Sequence, residues 1–169
     1  SPGSPHSDEA IDATTSFNEN CPSIHFSTNS AHPKNSNYPK PQLNTYCTKN
    51  ELIIESNGIP SYEFVAITPN DLGAQNYKWH IPLQPQLASE PGTIPLLGTV
   101  AIAINGLPIY GPNEAERPDP YGDPVYNNIL DNCLGHTGGN QDYHYHSLVV
   151  ECLTGDTPDN QPSSILGYA

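Results

Sequence analysis

The residues best suited to chemistry in this chain are three histidines in one short stretch. His136, His144 and His146 are three of the seven histidines, and they fall within eleven positions. On a strand, side chains alternate, so His144 and His146 share a face with ~6.6–7 Å between their Cα atoms, close enough for both imidazoles to converge on one ion. Gly135, Gly138 and Gly139 let the preceding loop fold back, carrying His136 and Asp131 toward the same point. Asp131, His136, His144 and His146 are therefore the candidate metal set. Their imidazoles suit copper or zinc better than calcium, because borderline-soft nitrogen matches a hard cation poorly. A plainer reading stands beside this one. His144 and His146 share their face with Leu148 and Val150, so they can equally be half-buried scaffold histidines hydrogen-bonded to Asp131, Asp142 or backbone carbonyls. Tyr143 and Tyr145 face the other way and read as packing residues.

A second candidate lies upstream, in the acidic loop from Asn113 to Asp123. It sets four carboxylates, Glu114, Glu116, Asp119 and Asp123, among proline and glycine residues that turn carbonyls outward. Glu116, Asp119 and Asp123 form a candidate calcium loop, since hard oxygen ligands in a bent loop suit that ion. The spacing is not that of an EF-hand, and a solvated acidic loop is the competing reading. Asp8, Glu9 and Asp12 could also reach a calcium ion shared between subunits. The sequence contains no nucleophile elbow, phosphate loop or HExxH helix, and oxidised cysteines cannot serve as nucleophiles, so no catalytic residue is assigned. Catalysis at the histidines would require an open metal position, which nothing in the sequence supplies, so the reading leans away from an enzyme.

These residues must be positioned by a chain of turns and short strands. Nineteen prolines and 13 glycines, with only 35% hydrophobic residues, exclude a helix bundle. The longest apolar stretch, Val100 to Ile104, is strand-sized and far short of a membrane span, so no membrane insertion is expected. Lys and Arg total 5 against 18 Asp and Glu, for a net charge of −13, which repels nucleic acid and anionic lipid and favours cations. The four cysteines form no CxxC pair and point to disulfides in an oxidising compartment. Cys21 with Cys47 and Cys133 with Cys152 is the expected pairing, because each bond closes a short loop within one region, worth roughly 3 kcal/mol each. The start at Ser1 reads as the product of a signal peptidase, so the protein is expected outside the cell or at its surface after a cleaved signal peptide.

Three regions follow from composition. Residues 1–50 are rich in Pro, Ser and Asn and too polar to fold alone, so this irregular arm must gain order from contacts made elsewhere. Its first part, Ser1 to Asn20, is expected to dock either on its own subunit or on a neighbouring copy. Residues 51–155 carry short β-type runs at Leu52–Ile54, Tyr62–Ile67 and Val100–Ile104, separated by turn dipeptides such as Asn57-Gly58 and Asn105-Gly106. In the third run Val100, Ile102 and Ile104 oppose Ala101 and Ala103, as in a central strand covered on both faces. A short helix is expected within Asp123 to Leu130, and residues 156–169 read as a tail. The fold class is mainly β, a sandwich- or barrel-like domain with short helices and a long irregular N-terminal arm.

Four blocks in order resemble the YHYH-domain family: Trp79 to Pro85, Gly98 to Tyr110, Asp131 to His136, and Tyr143-His144-Tyr145-His146. The resemblance spans roughly residues 50–155. It implies a secreted β-domain whose signature comprises Asp131, the Gly135-His136 pair and the YHYH histidines, and it names a motif rather than an activity.

Two functions fit these features. The first is an extracellular, non-enzymatic, calcium-binding structural protein that associates with other copies of itself, as a filament or surface layer; an arm inserted into a neighbour propagates unless a ring closes. The alternative is a copper- or zinc-binding protein or metalloenzyme built on His136, His144 and His146.

Overall fold

The computed structural model describes residues 20–114, 122–154 and 161–169. Its frame is two β-sheets. The first is antiparallel and three-stranded, in the order β1 (Leu43–Cys47), β2 (Glu51–Ser56), β3 (Tyr77–Pro82). The second contains β4 (Thr99–Ala103), β5 (Pro108–Tyr110), β6 (Gly135–Thr137), β7 (Tyr143–Tyr145) and β8 (Gly167–Tyr168). Its spatial order is β6-β7-β5-β4-β8. One short helix, α1 (Val150–Leu153), follows β7. The mainly β architecture is as the composition requires, and among the described residues the sheets do not close into a barrel.

Apolar alternation explains how the layers stack. Leu52 and Ile54 on β2, with Trp79 and Ile81 on β3, pack against Ile102 of β4, Phe26 and Tyr168, so the sheets meet face to face. On the other side of β4, Ala103 joins Leu107, Tyr143, Tyr145, Ile59 and Leu72 in a second core. The strand from Val100 is thus covered on both faces, and its apolar run reflects that. Its hairpin to β5 turns at Asn105-Gly106, where Gly106 has φ 78° and its amide bonds the Ala103 carbonyl.

Two expected elements differ. Residues 62–67 form no strand; the side chain of the buried Asn35 takes the role of a partner strand, donating to the Tyr62 carbonyl at 2.7 Å and accepting from the Phe64 amide at 3.0 Å. Tyr62 and Phe64 still reach the second core, because an extended segment alternates whether or not it is paired. The segment from Asp123 makes a turn rather than a helix. Asp123 caps it through the Val125 amide, as the sequence suggests, but Asn128 enters the left-handed region at φ 52° and ends it.

Residues 20–42 lie along the body of their own chain. A disulfide joins Cys21 to Cys47, the Ser27 amide donates to the Ile104 carbonyl, and the ring of Phe26 stacks on Tyr168 at 5.6 Å. The second disulfide, Cys133 to Cys152, ties the approach to β6 to α1. The hairpin β1–β2 spans the boundary drawn at residue 50, and Gly167–Tyr168 of the tail pairs with β4. The expectation of docking in cis or in trans for Ser1 to Asn20 falls almost wholly on residues 1–19, which lie outside the described residues.

Candidate metal centre

The β6–β7 hairpin sets His136 directly opposite His144. His146, two residues on, projects to the same side, as strand alternation demands. The Nε2 atoms of His136 and His144 lie 3.1 Å apart, and those of His146 and His136 3.2 Å apart. A fourth group arrives from the segment after β5: Glu114 Oε2 stands 3.1 Å from His136 Nε2 and 3.5 Å from His146 Nε2. One ligand atom from each of Glu114, His136, His144 and His146 lies within 4.8 Å of every other.

The far side of each imidazole fixes its tautomer. His136 Nδ1 meets the Ile129 carbonyl at 2.7 Å, His146 Nδ1 the Gly111 carbonyl at 2.9 Å, and His144 Nδ1 the Asp142 carbonyl at 3.2 Å. A carbonyl only accepts, so each Nδ1 must carry the proton and each neutral ring keeps a bare lone pair on Nε2. Burial pushes the His146 pKa down to about 4, helped by its proximity to His144, and lowers that of His136 for the same reasons. Two of the three rings are therefore uncharged near neutrality, with their lone pairs pointed at one another.

Supporting contacts extend behind His144. The ring of Tyr110 stacks on it with centroids 3.8 Å apart, and the Tyr110 hydroxyl donates to Asp142 Oδ2 at 2.7 Å. Asp142 Oδ2 also stands 3.5 Å from His144 Nδ1. Burial alone would raise the Asp142 pKa, but bonds from His144 and Tyr110 outweigh it and hold the carboxylate below its usual range. On the other side, Gly111 is pressed against the backbone of Pro95 and Leu96 so closely that a Cβ there would sit 2.6 Å from the Pro95 carbonyl oxygen. Only glycine can present this carbonyl to His146.

Asp131 is not brought into the set. Its Oδ1 accepts from the amides of Cys133 and Gly135, and its Oδ2 accepts from the Tyr143 hydroxyl at 2.7 Å. It organises the turn that leads into β6, where Leu134 adopts φ 60°. Tyr143 and Tyr145 point into the second core, on the face opposite the histidines, and the Tyr62 hydroxyl bonds both phenols. Of the candidate calcium loop, Glu116 and Asp119 lie outside the described residues, while Asp123 caps its turn. Glu114, read from sequence as part of that acidic loop, instead faces the histidines. No local spacing announces this, since it comes from a separate segment; a three-histidine cluster in need of an anionic partner was the one available signal.

The blocks that build this centre belong to one matched region: the YHYH protein family model covers residues 78–169. The chain belongs to the YHYH protein family. The match starts later than the resemblance at residue 50 and runs further, through β8 to Ala169. No curated protein and no solved structure matches the chain. In this YHYH family member the motif divides its labour by parity, the tyrosines filling the core and the histidines building the centre.

Proposed function

We propose that this YHYH family member is a transition-metal-binding protein that holds zinc or copper through His136, His144, His146 and Glu114. The observation that carries the reading is the convergence of three imidazole Nε2 lone pairs whose Nδ1 protons are all committed to backbone carbonyls. Facing lone pairs repel, and a shared cation is the economical way to hold them there. The spacing supports the same conclusion. Metal–nitrogen bonds of ~2.0–2.1 Å place the nitrogens of a tetrahedral centre ~3.3–3.4 Å apart, close to the 3.1 and 3.2 Å found here. Nitrogen donors favour copper or zinc over calcium. The scaffold reading of the histidines and the ligand reading turn out compatible, because carbonyls take one nitrogen of each ring and leave the other for the ion.

The disulfides fit an oxidising, extracellular setting, and no helix among the described residues is long and apolar enough to cross a membrane. Metal capture or a metal-stabilised fold outside the cell is the resulting function. The calcium-linked assembly expected from sequence draws chiefly on residues 1–19 and 115–121, so the centre supports the transition-metal reading instead. Elemental analysis of natively purified protein tests it. We expect about one equivalent of zinc or copper, lost in His144→Ala/His146→Ala, and a thermal midpoint that falls when a chelator removes the ion. Protein that retains neither metal, and whose melting is unmoved by adding either, would sink the proposal.

A further inference from the structure

The four ligands are not held alike. The three imidazoles are fixed on both sides: each side chain is between 1% and 4% exposed, and each Nδ1 is tied to a carbonyl from a different place, Ile129, Asp142 or Gly111. Glu114 differs in every respect. Its side chain is 27% exposed. It sits beyond the strands, on a segment whose backbone is tied by the bonds from the Asn113 amide to Leu96 and from the Glu114 amide to Gly122. Its backbone is thus anchored while its carboxylate, only partly buried, reaches the centre.

The carboxylate is also off-centre. It stands near His136 and His146, whereas its distance to the His144 nitrogen is longer, within the 4.8 Å that spans the set. An ion seated between the three imidazoles therefore keeps a side that Glu114 covers only in part. Charge points the same way. A divalent cation with three neutral imidazoles and one carboxylate retains a net positive charge, so a small anion is still attracted to it even in so acidic a molecule.

We propose that Glu114 is a displaceable ligand, and that the metal held by His136, His144 and His146 takes small exogenous anions, such as carboxylates or inorganic oxyanions, in the position its carboxylate vacates. This rests on the metal reading above. It makes the centre an exchange site rather than a closed structural one: three fixed ligands retain the ion while the fourth yields to what diffuses in. Glu114 then sets selectivity by competition, because any incoming anion must outbid a tethered carboxylate at high local concentration.

Azide on the copper-loaded protein is the probe. Metal content is measured first, in the wild type and in Glu114→Gln, after separate loading with copper and with zinc; a wild type that keeps neither ion refutes the metal reading, and this is seen before any azide is added. With copper retained in both, azide titration is followed by its charge-transfer absorption and by electron paramagnetic resonance. We expect the wild type to bind azide, and Glu114→Gln to bind it about tenfold more tightly because the competing carboxylate is gone. Equal affinities in the two proteins, or spectra that azide leaves unchanged in both, would overturn the proposal while leaving metal binding intact.

Discussion

At the scale of single residues, the centre is a matter of which nitrogen each imidazole offers. Asp142 has a double role here, its carbonyl facing His144 Nδ1 and its carboxylate accepting the Tyr110 hydroxyl. Groups that orient a ligand from behind typically carry a factor of 10–100 in metal affinity. Asp142→Asn keeps the shape and removes the charge, so we expect about tenfold weaker zinc binding in competition with a chelator, with the fold intact. Tyr143 provides the contrast. Tyr143→Phe leaves Asp131 Oδ2 buried without its donor and takes away one partner of Tyr62. The expected cost is about 1–3 kcal/mol in urea unfolding with metal stoichiometry unchanged, since the phenol lies on the opposite face. If Tyr143→Phe loses the metal while remaining folded, the division of the motif into a core face and a metal face is wrong.

At the scale of elements, the hairpin of β6 and β7 is the critical piece, because its register alone brings His136 opposite His144. Gly135 begins it, and a Cβ at that position would stand 2.7 Å from Cε1 of Tyr143. Gly135→Ala therefore forces the buried tyrosine or the strand to move. We expect 1–3 kcal/mol of destabilisation, as for overpacked cores, together with weaker metal binding as His136 shifts from its partner. Unchanged zinc affinity in a destabilised protein would uncouple the hairpin register from the site. The same element shows what sequence can disclose. Parity along Tyr143 to His146 separated the core tyrosines from the clustered histidines because a strand's period is two, and the apolar runs of β2 and β4 were legible as short strand-sized segments. Legibility failed where the deciding partner is distant in sequence. Residues 62–67 have strand composition, yet a side chain, that of Asn35, takes the Tyr62 carbonyl and the Phe64 amide. Glu114 reads as one of several loop acids, and only the fold brings it to the histidines. Asp131 looked like a ligand because it flanks Cys133 and His136, whereas its carboxylate serves the turn and Tyr143.

For the molecule as a whole, two electrostatic effects compete on acidification, and their signs differ. The surface carries a net charge of −13, so protonating exposed carboxylates relieves self-repulsion and favours the compact state. The buried histidines act the other way. His146 falls from an ordinary value of 6.5 to about 4 on folding, and His136 is lowered too, both mainly by burial. Between those two values the unfolded chain binds protons that the folded chain refuses. The histidine contribution is therefore complete above about pH 6.5 and is lost progressively as pH falls toward 4. For His146 alone the shift corresponds to at most roughly 3 kcal/mol. The metal-free protein should accordingly lose stability between about pH 6.5 and pH 4.5 despite its shrinking charge, and His146→Ala should flatten that slope. Bound metal should steepen it, because protons compete for the same nitrogens. Urea midpoints measured across this range in the presence of a chelator decide the matter. A wild-type profile that rises on acidification, or one that runs parallel to that of His146→Ala, would mean that surface charge rather than the buried imidazoles governs how this molecule answers to pH.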